Sequence, residues 1–174
     1  MTQTISDKYL DAIYKLKNLV RYNTRSRIKD ESVAEHSFYV AVLTLDICKK
    51  FDIDYDTTCK CVIKATLHDM PEMYLNDITH DVKEKLNLRP LLKTYEDEYY
   101  KKYYPQYADL MNNANELITT IVDLADAYSV KQYVNNEKSL GNNTVGMNDI
   151  LDEINGRIHM LTEKLNKCKI HMYI

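Results

Sequence analysis

The chain is poor in the residues that interrupt helices. Its 174 residues include only three glycines and three prolines. Because folds with many tight turns draw on both residue types, this scarcity argues against a turn-rich β fold and favours long helices. Hydrophobic residues make up 45% of the chain and charged residues 28%, which allows a sizeable core and argues against disorder. We therefore predict an all-α protein in which residues 1–174 form one helical bundle domain.

Other absences exclude whole classes of function. The four cysteines form no C-x-x-C pair, so we expect reduced thiols rather than a disulfide framework. The net charge of −3 provides no basic field for a nucleic-acid backbone. No apolar run is long enough to span a bilayer, and the first residues do not follow the pattern of a secretion signal. We expect a soluble, cytoplasmic protein that binds neither nucleic acid nor membrane.

Capping residues and apolar spacing predict successive helices with no convincing strand pattern. Ser6 and Ser32 are candidate N-caps, and Pro71 is expected to end or kink the helix before it. The segment YLNDITHDVKEKL is predicted to be a loop with a short helix at its end, and SLGNNTVG is the clearest loop. The main predicted helices cover about residues 7–20, 33–51, 56–69, 91–104, 109–137 and 147–166.

Four metal-binding side chains are spread over three of these predicted helices. His36 lies in VAEHSFYVAV, the pair His68-Asp69 in LHDMPE, and Asp126 in IVDLADAY. Buried histidines and carboxylates are costly unless they are paired or bound to a metal. Two imidazoles and two carboxylates suit Mn, Fe, Co, Zn or Ni. The pattern therefore predicts that the four side chains converge on one divalent metal ion.

Glu72 follows His68 by four residues and Asp69 by three, so it shares their face if the helix continues that far. A carboxylate beside a metal-bound water is what a hydrolase needs. The ion lowers the pKa of the water, and the carboxylate takes or orients its proton. The LHDMPE motif thus indicates hydrolytic chemistry.

Each of these residues also has an ordinary structural interpretation. A single histidine on an apolar helix face, such as His36, is usually a core residue with its hydrogen bonds satisfied. Asp126 alone is equally explained as a buried hydrogen-bond acceptor, and Asp123 competes for its role from one turn earlier. A second His-Asp dipeptide, at 80–81, is interpreted as part of a surface loop. The joint pattern, rather than any one residue, favours the metal site.

The order of the motifs resembles the HD superfamily of metal-dependent phosphohydrolases. The segments RY…SVAEHS, LHDMPE, NDITHDVK and LADAY are similar to the branch that contains bacterial 5′-deoxynucleotidases and phage deoxynucleoside triphosphohydrolases, over about residues 15–160. This resemblance implies an all-helical, HD-type bundle in the cytoplasm of a bacterium or of a phage-infected cell. It also implies one divalent metal ion, held by His36, His68, Asp69 and Asp126.

The resemblance further implies roles for residues around the metal. Glu72 is expected to assist the attacking water, and Asp77, in NDIT, matches a family carboxylate near the phosphate and sugar. Arg21 matches an arginine at the start of the loop before the first ligand, and Lys83 matches a basic residue near the phosphate. Tyr22 stands where relatives commonly carry a tryptophan that packs on the sugar and helps to exclude ribonucleotides. This departure from the family pattern leaves the preference for deoxyribose open.

The leading interpretation is an enzyme that removes the 5′-phosphate from deoxynucleoside monophosphates. One alternative is a deoxynucleoside triphosphate triphosphohydrolase that releases triphosphate, and another is a helical binding or assembly protein without turnover. The partner is expected to be a small nucleotide. Tyr95, Tyr99 and Tyr103 recur every four residues and predict a stripe that faces the core or another subunit. Because relatives are commonly oligomeric, we expect a homodimer or a higher homo-oligomer.

Overall fold

The computed structural model describes residues 6–172, with the side chains of residues 6–79 and 82–168. In the described part the regular secondary structure is helical, without a β-strand, and its one strand-like pairing is an isolated bridge between Val20 and Ser32. The predicted all-α fold is confirmed. The helices are α1 Asp7–Lys15, α2 Val33–Lys50, α3 Tyr55–Leu67, α4 Glu72–Leu75, α5 His80–Lys85, α6 Arg89–Tyr103, α7 Ala108–Asn113, α8 Glu116–Ser139 and α9 Val145–Met172.

The helix starts are set by side chains that accept hydrogen bonds from the first turn. Ser6, Asp54 and Asn115 cap α1, α3 and α8 in this way. Ser32 and Glu35 form a reciprocal capping box at the start of α2. Each cap of this kind stabilises a protein by about 1 kcal/mol, because it satisfies backbone donors that the helix leaves unpaired.

The largest cluster of buried hydrophobic residues surrounds α8, which packs against α2, α3 and α9. Val40, Ile121, Leu124 and Leu165 are among the buried residues that join these helices. Since α8 has neighbours on several sides, it buries residues around most of its circumference rather than along one stripe. This packing places Asp126, in the middle of α8, in a partly buried position between His36 of α2 and Arg157 of α9. Among the described residues, we find no helix that combines the length and the apolarity needed to cross a bilayer.

A second, tyrosine-rich cluster joins α1, the end of α3, α4, α6 and α7. The predicted stripe of Tyr95, Tyr99 and Tyr103 faces this cluster, with Tyr99 fully buried. The hydroxyl of Tyr100 donates hydrogen bonds to the carbonyls of Leu67 (2.9 Å) and His68 (3.0 Å). The cluster therefore holds the end of α3, where the His-Asp pair lies.

Several predicted boundaries are wrong. Helix α1 ends at Lys15 rather than near residue 20, because the chain turns at residues 16–18 before it pairs at Val20. The single helix predicted over 109–137 is two helices, because Asn115 leaves the helical conformation and caps α8. The dipeptide at 80–81 does not lie in a loop, since α5 begins at His80. Its side chains lie outside the described residues.

Candidate metal centre

The four predicted metal ligands meet at one point between α2, the end of α3 and α8. The Nε2 atom of His36 lies 3.2 Å from Oδ1 of Asp126 and 3.6 Å from Oδ2 of Asp69. The Nε2 atom of His68 lies 3.2 Å from the same Oδ2 of Asp69. One ligand atom each from His36, His68 and Asp69 lie within 4.8 Å of one another. The helices thus bring two imidazole nitrogens and two carboxylates to a single cluster.

Hydrogen bonds orient both imidazoles with Nε2 toward the cluster. The Nδ1 atom of His68 lies 2.7 Å from the carbonyl oxygen of Ala65, which only accepts, so Nδ1 must carry a proton. The Nδ1 atom of His36 lies 3.0 Å from the hydroxyl of Ser129. Metal-binding histidines are held in this way, with the outer nitrogen engaged and the inner one free to coordinate.

A buried nitrogen in the cluster has no hydrogen bond. Within the described residues, Nε2 of His68 is buried and its contact with Asp69 does not have hydrogen-bond geometry. Buried polar atoms are rarely left unpaired in native proteins, and such an exception calls for an ion or another partner. The donor set of two nitrogens and two carboxylates suits a divalent transition metal. The residues present therefore fit the cation that the sequence predicted.

Burial, hydrogen bonds and neighbouring charges shift the pKa values of all four side chains in the cluster. Burial opposes ionisation of Asp69 and Asp126, but His68 beside Asp69 and His36 beside Asp126 outweigh it and hold both carboxyl pKa values well below their usual range. Burial also opposes a charge on His68, yet the Asp69 carboxylate raises its pKa to about 9. Burial and the nearby Arg21 charge lower the pKa of His36. Binding of a cation must displace the His68 proton, which makes metal binding proton-linked.

Glu72 does not continue the helix that carries His68. Helix α3 ends at Leu67, the chain turns through Pro71, and Glu72 begins α4. Burial, reinforced by the negative charges of Asp69 and Asp77, raises the pKa of Glu72 to about 9. A carboxyl with this pKa carries a proton at neutral pH, and Glu72 reaches the edge of the cluster through a turn rather than along a continuous helix.

The remaining predicted residues surround the cluster. Arg21 pairs with Glu31 at 2.9 Å and lies over the ring of Tyr22. Tyr22 adopts a left-handed backbone conformation (φ 57°) and its ring stacks on Tyr133, with 4.6 Å between the ring centroids. Asp77 is half-buried, and burial raises its pKa although Arg21 and Lys83 oppose this. The structure thus places a basic and aromatic wall beside the carboxylates.

These residues line a cavity of about 590 Å³. All nine residues that the sequence singled out lie on its walls: Arg21, Tyr22, His36, His68, Asp69, Glu72, Asp77, Lys83 and Asp126. A cavity of this volume lies in the range of small-molecule sites. The walls also carry groups that the sequence argument did not name, chiefly Arg25, Arg89, Ile150, Glu153, Ile154 and Arg157.

Arg157 is the most important of the missed residues. Its Nη1 atom donates to Oδ2 of Asp126 at 3.1 Å, and its Nη2 atom lies 4.0 Å from the half-exposed Asp123. Of the two competing aspartates, Asp126 lies in the cluster, 3.2 Å from His36, whereas Asp123 lies beside Arg157. A signal was present, because Ile150, Ile154 and Arg157 recur at helical spacing and put an arginine on an apolar face.

Comparison with known sequences identifies the family. Residues 8–173 match the model of a protein family described as YfbR-like, 5′-deoxynucleotidase YfbR-like. Over 123 residues the chain is 27% identical to a dATP triphosphohydrolase of Acinetobacter phage SH-Ab 15497. That match covers 63% of this chain and 58% of the phage protein, so it spans less than two thirds of the relative.

Solved structures show the same fold. The HD phosphohydrolase DatZ of cyanophage S-2L, bound to dA and one catalytic Zn²⁺ ion, superposes with a TM-score of 0.72 at 14% identity and covers 98% of both chains. The PH0347 protein of Pyrococcus horikoshii OT3 superposes with a TM-score of 0.75 at 23% identity, over 95% of this chain and 97% of the other. The sequence resemblance and the HD-type fold are confirmed. The chain has the fold of the HD phosphohydrolases, and it belongs to the family of YfbR-like 5′-deoxynucleotidases.

Proposed function

We propose that this protein is a metal-dependent phosphohydrolase that removes the 5′-phosphate from deoxynucleoside monophosphates. The observation that carries the proposal is the meeting of His36, His68, Asp69 and Asp126 around the unpaired Nε2 atom of His68. Family membership supports the 5′-deoxynucleotidase activity. We also propose that residues 1–174 form one domain and that the enzyme is a cytoplasmic homo-oligomer.

In this proposal, one divalent ion is held by His36, His68, Asp69 and Asp126. When bound, it supplies Lewis acidity toward a phosphate oxygen and lowers the pKa of water. Co, Mn, Zn, Fe and Ni all suit the donor set, and the Zn²⁺ ion of the cyanophage structure supports a metal of this class. The identity of the native metal is a separate question from the site.

Glu72 and Asp77 would handle the protons. The oxygen of water attacks phosphorus, the bond from phosphorus to the 5′-oxygen breaks, and the products are a nucleoside and inorganic phosphate. Burial and neighbouring carboxylates keep Glu72 protonated, and the charge of a bound ion would lower its pKa and free the carboxylate. Glu72 would then take the proton from the attacking water. Asp77, whose pKa is also raised by burial, lies on the same wall and would stand near the 5′-oxygen, to which it would donate a proton.

Arg21 and Lys83 would bind the phosphate and offset the charge that develops on its oxygens. Arg21 is well fixed for this role, because Glu31 pairs with its Nη1 atom and Tyr22 lies beneath its guanidinium group. Tyr22 would pack on the sugar, in the place where relatives carry tryptophan. Its own ring is held by the stack on Tyr133.

A second candidate function, release of triphosphate from deoxynucleoside triphosphates, has specific support. Five cationic side chains line the cavity, three of them paired with carboxylates, and together they would meet the oxygens of a longer phosphate chain: Arg21, Arg25, Lys83, Arg89 and Arg157. The phage relative carries the name dATP triphosphohydrolase. Attack on the α-phosphorus would use the same metal ligands and the same Glu72, and would leave triphosphate in place of phosphate.

A product assay separates the candidates. The purified protein is incubated with deoxynucleoside mono-, di- and triphosphates and matching ribonucleotides, with Mn²⁺, Co²⁺ or Zn²⁺ added, and the products are separated by ion-exchange chromatography. Inorganic phosphate and nucleoside from monophosphates support the leading proposal, whereas triphosphate and nucleoside from triphosphates support the second candidate. No product from any nucleotide, with the metal bound, would leave a binding protein as the better account.

A further inference from the structure

Three of the four side chains in the metal centre have a hydrogen-bond partner on the side away from the cluster. The outer nitrogens of His36 and His68 contact a hydroxyl and a backbone carbonyl. Asp126 has Arg157 in the corresponding place, because its Oδ2 atom accepts a hydrogen bond from Nη1 of the arginine at 3.1 Å. Its Oδ1 atom lies 3.2 Å from Nε2 of His36. Asp126 thus turns one oxygen toward α9 and the other toward the cluster.

The packing of α9 holds Arg157 in this position. Ile154 and Ile158 lie on either side of it in the sequence, and both are buried in the hydrophobic cluster around α8. Its Nη2 atom lies 4.0 Å from Oδ1 of Asp123, one turn before Asp126 on α8. Because a guanidinium group is a rigid planar fork, it can contact two carboxylates from one fixed direction. Arg157 therefore spans one turn of α8.

Asp126 is the ligand that depends most on such a partner. One ligand atom each from His36, His68 and Asp69 lie within 4.8 Å of one another, and Asp126 joins this group through its contact with His36. Its side chain is 22% exposed, so water competes for the carboxylate. A side chain that is free to turn must be ordered when the ion binds, and the cost of that ordering weakens binding.

Arg157 acts on a bound cation in two opposite ways. The hydrogen bond strengthens metal binding, because it turns the carboxylate of Asp126 toward the ion before the ion arrives. The positive charge of the guanidinium group weakens metal binding by repulsion. Since the side chain of Arg157 is 39% exposed, water and salt screen that repulsion, whereas the hydrogen bond acts directly on Asp126. The orientation of the carboxylate is therefore the larger of the two effects.

We propose that Arg157 is a positioning residue for the metal centre, which holds Oδ2 of Asp126 so that Oδ1 faces the ion. The role rests on the proposed metal-dependent function. Arg157 acts through Asp126 and does not touch the ion. The four ligands lie on α2, the end of α3 and α8, so this role makes the affinity for the metal depend on a fourth element, α9.

The first test is the affinity of the full chain for Zn²⁺, measured by competition with a coloured chelator. Arg157→Met removes the hydrogen bond and keeps a long, unbranched side chain that suits a helix. Loss of an outer partner of a metal ligand typically lowers metal affinity 10–100-fold, so the dissociation constant should rise by about 10–100-fold. Lys164→Met is the matched control, because it removes a cation of α9 that lies 3.1 Å from Glu116, and it should leave the dissociation constant unchanged.

Two further measurements distinguish positioning from a merely structural role. The visible absorption of Co²⁺ bound in place of Zn²⁺ depends on its ligands and their geometry. Arg157→Met should change this spectrum, whereas Lys164→Met should not. Arg157→Lys keeps the charge and a donor on a more flexible stem, so it should recover part of the lost affinity. Circular dichroism checks that all three variants keep the helical fold.

Three results would overturn the proposal. Tighter binding of Zn²⁺ by Arg157→Met would show that the arginine competes with the ion for Asp126. An unchanged dissociation constant and Co²⁺ spectrum would show that the contact does not orient the carboxylate. An equal loss of affinity in Lys164→Met would show a general effect of charge on α9. If Arg157→Met does not fold, Arg157→Lys decides: a raised dissociation constant with an altered spectrum supports the proposal, and natural values of both overturn it.

None of these measurements uses a nucleotide, so the role of Arg157 and the proposed activity are tested separately. If the natural protein and Arg157→Met bind Zn²⁺ equally well, Arg157 has no positioning role and the metal centre stands. If the natural protein binds no ion, both the positioning role and the metal-dependent function are wrong. A protein that binds the ion but releases no product would count against the hydrolase activity alone.

Discussion

Glu137 is a buried carboxylate outside the metal centre, and we predict that its replacement lowers the free energy of unfolding. The residue lies near the end of α8 and is 1% exposed. Its carboxylate accepts hydrogen bonds at 2.7 Å from the backbone amides of Ile28 and Lys29 and from the side-chain amide of Asn142. It thus fastens the loop that begins with Arg21 to the body of the bundle.

The size of the effect follows from these contacts. Glu137→Gln keeps the shape of the side chain, but its amide nitrogen cannot accept, so the backbone N–H of Ile28 or of Lys29 loses its buried acceptor. An unsatisfied buried donor costs about 1–3 kcal/mol, and a hydrogen bond to a charged group contributes about 1.5–3 kcal/mol. We expect the free energy of unfolding to fall by about 3 kcal/mol. With a urea m-value of about 2 kcal/mol/M, the midpoint should fall by about 1.5 M.

The pH dependence gives a second signature. Burial opposes ionisation of Glu137, but the hydrogen bonds from Asn142, Ile28 and Lys29 outweigh it and lower the pKa from its usual value of 4.5. A carboxyl whose folded pKa is depressed contributes stability above its unfolded pKa and loses it as the pH falls through the folded pKa. The difference between Glu137→Gln and the natural protein should be constant near neutral pH and shrink below about pH 4.5.

The assay is urea unfolding followed by circular dichroism at several pH values. Glu98→Gln, at an exposed position on α6, makes the same change of charge and is the matched control. If Glu137→Gln shifts the midpoint no more than Glu98→Gln does, the carboxylate does not hold the loop as we describe.

Three further predictions test the site and the core. Glu72→Gln should retain the metal and lower kcat by about 10²–10⁴-fold. Product release measures the rate, and metal analysis of the same sample checks that the ion is bound. A variant with the kcat of the natural protein would show that Glu72 has no part in the proposed mechanism. Tyr100→Phe should lower the unfolding free energy by about 1–2 kcal/mol, because the carbonyls of Leu67 and His68 lose their hydrogen bond. Since the His68 backbone is then less well fixed, metal binding should weaken. An unchanged metal affinity in calorimetric titration would show that Tyr100 does not support the metal site. Ile121→Ala in the fully buried core should cost about 2–5 kcal/mol in urea unfolding, whereas Leu91→Ala, exposed to 67%, should cost less than about 0.5 kcal/mol.

The motifs predicted that His36, His68, Asp69 and Asp126 lie together, because each of them lies in a short segment whose own pattern indicates a helix. Ser32 and Glu35 start α2 and set the phase that turns His36 inward, and the apolar run around Asp126 buries α8. Pro71 correctly indicated an end to the third helix. Each of these signals lies within a few residues of the feature that it predicts, so a single sequence is enough to detect it.

The features that the sequence did not predict depend on tertiary packing. Arg157 reaches Asp126 only because α9 packs along α8, and Ser129 meets His36 only because α8 packs along α2. The break at Asn115 was missed because the apolar pattern continues through it, while the side-chain cap that divides the helix is a weaker signal. The sequence around Tyr100 did not predict that its hydroxyl donates to the carbonyls of Leu67 and His68 at the end of α3.

The metal content of the purified protein tests the central claim most directly. After reconstitution with Mn²⁺, Co²⁺ or Zn²⁺ and removal of excess ion, mass spectrometry should find one ion per chain. His68→Ala and Asp126→Ala should abolish that ion, while His159→Ala, whose side chain is 78% exposed on α9, should retain it. An ion count that stays the same in all three variants, or an anomalous diffraction peak away from His36 and His68, would contradict the account.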